Sequence, residues 1–188
     1  LTDDDQQIGA EGSSDPAISA DGRYVAFTTD SPLDAADQNF LDDVYVRDRL
    51  RGTTTLISSG EGIGDIGPDE SVNPTISGDG RVLTTEATGD KPPDPTAPEG
   101  DGGRTDVYRV DRGAPDPATG DFVPGATTMQ IVSVDTDGGD VSIFDDVGDA
   151  AMSGDGTQIA FTVFSGEGPT NVLIRDLGSG APNTVRLD

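Results

Sequence analysis

No cysteine and no histidine occur anywhere in the 188 residues, and Lys91 is the single lysine. The first absence excludes disulfides, thiolate metal sites and cysteine nucleophiles. The second removes the commonest general base, the usual zinc ligand and the imidazole of a Ser-His-Asp triad. Ser13, Ser14, Ser58 and Ser59 lie near turns with no G-x-S-x-G around them, so none reads as an activated nucleophile. No apolar run approaches the ~18 residues needed to cross a bilayer, and no basic start followed by an apolar stretch marks a signal peptide. The chain opens at Leu1 rather than Met, which reads as a processed, trimmed or partial chain. No Asn-x-Ser/Thr glycosylation acceptor is present, since Asn73 is followed by Pro74.

What is abundant is short carboxylate. Against 11 basic residues stand 36 acidic ones, giving a formal charge of −25, and only residues 11, 61, 70, 86, 99 and 167 are Glu. A field of that sign repels nucleic-acid phosphates, so no nucleic-acid partner is expected. Two readings suit so many aspartates. One is a solvated coat adapted to high salt, where the Debye length shrinks to about 3 Å at 1 M and self-repulsion fades. The other is a set of calcium-binding loops, because hard cations take oxygen ligands carried close to the backbone.

One sentence is written three times: ISADGRYVAF at 18–27, ISGDGRVLTT at 76–85 and MSGDGTQIAF at 152–161. Asp-Gly between two β-prone runs signals a hairpin, the glycine accepting the positive φ of a tight turn. Each repeat continues with a third strand, DVYVRD at 43–48, DVYRVD at 106–111 and NVLIRD at 171–176. A fourth follows a polar turn: TTTLIS at 53–58, TTMQIVS at 127–133 and NTVRL at 183–187. The insertions that upset the period fall between strands, at 31–42, 88–105, 165–170 and 112–126, as variable loops should. The expected fold is therefore all-β, three four-stranded antiparallel meanders.

In YVAF and VYV, apolar residues occupy both parities of the strand, so both faces of each small sheet require cover. Radial stacking of four-stranded sheets, as in β-propeller blades, supplies it. The expected organisation is an end of a preceding blade or linker at 1–12, blade 1 at 13–58, a linker at 59–70, blade 2 with long loops at 71–133, a linker at 134–146 and blade 3 at 147–188. Three blades are too few to close, since propellers use 4 to 8. The arc is expected to form part of a larger propeller or one completed by oligomerisation, with protein partners or further blades at its open faces.

The string PAISADGRYVAFTT, with DVYVRD and GTTTLIS after it, resembles the TolB-type, WD-like propeller repeat, strongly over 13–58, in framework over 71–133 and well over 147–187. Thr85, standing where Phe27 and Phe161 stand, is the main departure. The resemblance implies an extracellular, cell-surface or periplasmic protein, since such repeats occur in envelope and secreted proteins and in propeller domains of some serine peptidases. The expected function is a non-enzymatic scaffold for protein contacts, stabilised by calcium. The alternative is the propeller module of a secreted hydrolase, peptidase or glycan-active, whose catalytic residues lie outside this chain.

Candidate calcium ligands are Asp37, Asn39, Asp42 and Asp43 in DAADQNFLDD, with Asp101 and Asp106 as counterparts in the second repeat. The bland alternative is an acidic turn capping its own backbone. DTDGGDVSIFDD at 135–146 has acids at EF-hand places, but Asp140 stands where glycine is needed, and its acids are expected to face water. Arg47-Asp48 and Arg175-Asp176 read as structural punctuation, Tyr24, Phe27, Tyr45, Tyr108 and Phe161 as core, and Phe40, Phe122 and Phe144 as loop residues suited to contacts.

Overall fold

The structure, a computed structural model, describes residues 12–38, 41–58, 70–88, 104–122, 127–133, 146–164, 170–178 and 183–187. The described residues contain twelve strands and no helix, hence none long and apolar enough to cross a membrane. The first sheet holds β1 (Ser13–Ile18), β2 (Tyr24–Thr29), β3 (Asp43–Asp48) and β4 (Thr53–Leu56) in chain order. The second holds β5 (Ser71–Ile76), β6 (Val82–Thr88), β7 (Thr105–Asp111) and β8 (Thr128–Ile131). The third holds β9 (Asp146–Met152), β10 (Gln158–Phe164), β11 (Asn171–Asp176) and β12 (Asn183–Leu187). Every pairing is antiparallel between consecutive strands, so each sheet is the expected meander.

The repeated turn is wider than a two-residue hairpin. Ile18 still pairs with Val25, and the six residues between are organised by two side chains. The Ser19 amide donates to the Tyr24 carbonyl and the Gly22 amide to the Ser19 carbonyl, both at 2.9 Å. Asp21 Oδ1 accepts from Ser19 Oγ at 2.7 Å and from the Arg23 amide at 2.9 Å, while Ser19 Oγ accepts the Tyr24 amide at 3.0 Å. The same set recurs on Ser77/Asp79 and on Ser153/Asp155. Serine and aspartate are thus as necessary to S-x-D-G as the glycine, whose φ is +72° at Gly22, +75° at Gly80 and +71° at Gly156.

The first strand of every sheet carries a bulge that pattern reading does not foresee. Register slips between Ser14 and Ala17, between Val72 and Thr75, and opposite Ala160/Thr162 in the third sheet. At these places Asp15, Asn73 and Asp149 have φ of 50°, 52° and 52°. Aspartate and asparagine tolerate that region better than other side chains, and the extra residue bends the strand. The Asp15-Pro16 and Asn73-Pro74 pairs are its sequence mark.

The sheets stack face to face. Let the front of a sheet be the side carrying Tyr24, Ala26, Val44 and Val46, and the back the other. The front of sheet 1, with Ile57, packs on Leu83 and Val110 from the back of sheet 2. The front of sheet 2, through Val107 and Val132, packs on Val147, Ile159, Phe161, Val163 and Leu173 from the back of sheet 3. The middle sheet is covered on both sides, which is why six of the seven β6 residues are buried. First strands adjoin one another, β1 beside β5 and β5 beside β9, so the sheets fan from an inner edge. That is the arrangement of propeller blades.

Candidate functional site

The turns at the inner edge are chained together. The Ala20 amide of sheet 1 donates to the Gly78 carbonyl of sheet 2 at 2.9 Å, and the Gly78 amide donates to the Gly154 carbonyl of sheet 3 at 2.7 Å. Sheets 1 and 2 thereby each pass one turn-to-turn backbone hydrogen bond to the next sheet. Among the described residues the Gly154 amide has no such acceptor and the Ala20 carbonyl no such donor.

Polar groups lock the two junctions. Arg23 grips Asp48 with contacts of 2.6 to 3.1 Å and reaches Asp121 at 2.8 Å and the Gly120 carbonyl at 3.0 Å. Arg51 adds a second ion pair to Asp121. Burial alone would raise the Asp48 carboxyl, but Arg23 and the Arg51 and Leu50 amides outweigh it and hold the group below the ordinary carboxylate value. Arg81 with Asp111 repeats the pairing in sheet 2. Arg112 is buried between the Tyr24 and Phe122 rings, 4.7 and 4.1 Å from their centroids, and donates to the Gly80 carbonyl at 2.9 Å. Burial pushes its guanidinium down to about 10, while the two ring faces favour the cation. Phe122, read as a loop contact residue, thus seals sheet 1 to sheet 2 from a small excursion closed by the Pro115/Phe122 bridge. At the second junction Glu86 is the lock: Oε1 accepts the Ala150 amide at 3.1 Å and Oε2 accepts Asn73 Nδ2 at 2.8 Å.

The aspartates singled out for calcium occupy structural posts. Asp37 is buried and its Oδ2 accepts the Tyr45 hydroxyl at 2.5 Å; burial and that carboxylate both push the tyrosine's ionisation upward. Its Oδ1 is also buried, with no hydrogen-bond partner among the described residues. Asp43 accepts Ser58 Oγ at 2.5 Å and Asp106 accepts Ser133 Oγ at 2.6 Å; the two serines accept the Val44 and Val107 amides in turn. Asp42 lends its carbonyl to the Ser71 amide at 2.7 Å. Asn39 and Asp101, with Phe40, Phe144 and most of 135–146, lie outside the described residues. No group of three or more Asp or Glu is disposed to hold a metal among the described residues.

Among the described residues the front of sheet 3 packs on no other sheet. Ala160 pairs with Ile174 and Ile174 with Val185, the same lattice positions as Ala26, Val46 and Thr55 in sheet 1. Val172 and Leu187 correspond to Val44 and Ile57. Under the cover of sheet 2, Val44 is 0% and Ile57 3% exposed, whereas Val172 is 39% and Leu187 49% exposed, with Val185 and Phe164 beside them. One face of one repeat is therefore core in one copy and surface in another. The back of sheet 1 is the other end, where Ile18 is 59% exposed while its counterparts Ile76 and Met152 are part-buried.

Among the described residues, fold and faces together define an all-β stack of three propeller-like blades whose two outer faces are unlike. Compared with solved structures, the chain is similar to a prolyl endopeptidase (19% identity, 97% of this chain and 23% of that one, TM-score 0.49) and to TolB from Acinetobacter baumannii (17%, 94% and 44%, 0.33). It is also similar to the tricorn protease (13%, 92% and 18%, 0.49). The chain spans less than half the length of each of these. No protein-family model matches the chain, and neither does any curated protein.

Proposed function

We propose that this chain is a non-enzymatic propeller segment of TolB-like type, working outside the cytoplasm as a scaffold whose open front of sheet 3 is the contact surface for protein. The observation that supports the contact surface is the contrast between Val44 and Val172, one lattice position with two exposures. A continuous apolar face that no other sheet among the described residues covers marks an interaction surface. The acidic coat keeps the rest of the molecule from unspecific contact.

If the face is free, Val172→Asp costs the monomeric chain, compared at low salt and at a protein concentration where wild type is dissociated, only about 1 kcal/mol, the strand preference lost on replacing Val with Asp. A loss of several kcal/mol would make the face internal core and end the reading. Calcium belongs to the proposal at Asp37, whose buried Oδ1 has no hydrogen-bond partner among the described residues. The expected result is a rise in Tm with about 1 mM CaCl2 beyond that given by NaCl of equal ionic strength, abolished in Asp37→Asn. Equal shifts with the two salts would leave only screening of the acids.

A further inference from the structure

The two open ends fit each other by the rule the chain already uses twice. At each internal junction a front takes the back of the next sheet, and three marks recur. The turn glycine of the incoming sheet lies against one front residue, Gly80 on Tyr24 and Gly156 on Val82. A backbone hydrogen bond runs from turn to turn. The front aliphatics close over the incoming second and third strands. Sheet 3 presents the front half of this set unused: Gln158 at the Tyr24 and Val82 position, the Gly154 amide without an acceptor among the described residues, and Val172 and Leu187 exposed.

Sheet 1 presents the back half. Gly22 would meet only Arg49 and Ile18 of its own sheet with an added Cβ, leaving open the space that Tyr24 fills at Gly80. Arg49 donates to the Gly22 carbonyl at 2.8 Å as Arg112 does to Gly80, but is exposed where Arg112 is buried. The Ala20 carbonyl has no donor from a neighbouring turn among the described residues.

We propose that two copies of this chain associate head to tail, the front of sheet 3 in each receiving the back of sheet 1 in the other, closing a ring of six sheets. The proposal rests on the front of sheet 3 being a contact surface. Six blades lie within the 4 to 8 that propellers use, and a head-to-tail contact that closes is a ring rather than a filament. The Gly154 amide then donates to the Ala20 carbonyl of the other copy, Gln158 covers Gly22, and the turn-to-turn chain of hydrogen bonds becomes continuous. Each copy carries a formal −25, so association strengthens with salt as the Debye length falls from about 10 Å at 0.1 M to 3 Å at 1 M.

Sedimentation equilibrium of the 188-residue chain tests this, in about 0.1 M and 1 M NaCl. The expected species is a dimer, weaker at low salt. Val172→Asp on the front and Ile18→Asp on the back should each give a folded monomer. An equimolar mixture of the two should recover a one-to-one dimer, because one of its two junctions is intact. A wild-type chain monomeric in both salts overturns the ring. So does a dimer that survives Ile18→Asp, or a pair of variants that fail to complement. In those cases a loss of only about 1 kcal/mol for Val172→Asp, compared between monomers, leaves the contact-surface reading standing, so the two failures are told apart.

Discussion

Gly80→Ala is expected to destabilise the chain by about 3 kcal/mol or more, while the same change at Gly22 costs about 1 kcal/mol. Both glycines sit in the same turn, with φ of +75° and +72°, so the backbone penalty is shared. They differ in what lies beyond. A Cβ on Gly80 would fall 2.2 Å from Tyr24 Cδ2, against 3.7 Å to the nearest atom at Gly22. The Tyr24 ring has no room to retreat, because Arg112 lies over it and Phe122 packs on it at 5.4 Å. Gly156→Ala should fall between, since its Cβ would come 2.9 Å from Val82 Cβ. In a double-mutant cycle, Tyr24→Ala should absorb much of the Gly80→Ala cost, making the pair markedly sub-additive. Additive penalties measured by urea denaturation would mean the turn does not pack on the neighbouring sheet.

Val44→Asp should be the most damaging single change, costing about 4 kcal/mol or more and leaving little or no folded chain. Val44 has no exposure and faces Leu83 and Val110 across the first junction. A carboxylate there is stripped of water with no cation to pair with, and even its neutral form lacks hydrogen-bond partners. The change is chemically identical to Val172→Asp, so the difference between their urea midpoints reads the worth of a covering sheet directly. Similar midpoints would contradict the stacking.

Strand pattern carried the fold because its signal is local. YVAF and VYV place apolar side chains on both faces, and a sheet that is greasy on both sides leaves few arrangements open. The Ser-x-Asp-Gly turns were readable for the same reason, although their width was not: it depends on Ser19 and Asp21 bonding back to the chain, which two-residue turn rules do not contain. The bulges at Asp15, Asn73 and Asp149 were missed because alternation counts residues and a bulge adds one.

The site was less legible, and the reason is distance along the chain. Asp43 and Asp106 look like ligands in a list of nearby acids, but each meets a serine 15 or 27 residues away that only the β3–β4 and β7–β8 pairings bring close. Arg112 and Phe122 carry no pattern of their own, yet with Tyr24 they close the first junction. The open front of sheet 3 could be expected from the number of repeats. Which end carries Val172 and Leu187, and which carries Ile18, required knowing which face of each sheet meets the next.

Amide hydrogen exchange at the three equivalent turn positions tests the stacking of the sheets most directly, measured in the monomeric Val172→Asp chain. The Ala20 and Gly78 amides, each donating to the turn of the next sheet, should be protected and exchange only through large openings. The Gly154 amide, with the same turn around it and no sheet beyond, should exchange at close to the unprotected rate. Equal exchange at all three would mean that the turns do not bind one another and that the sheets do not stack in an arc.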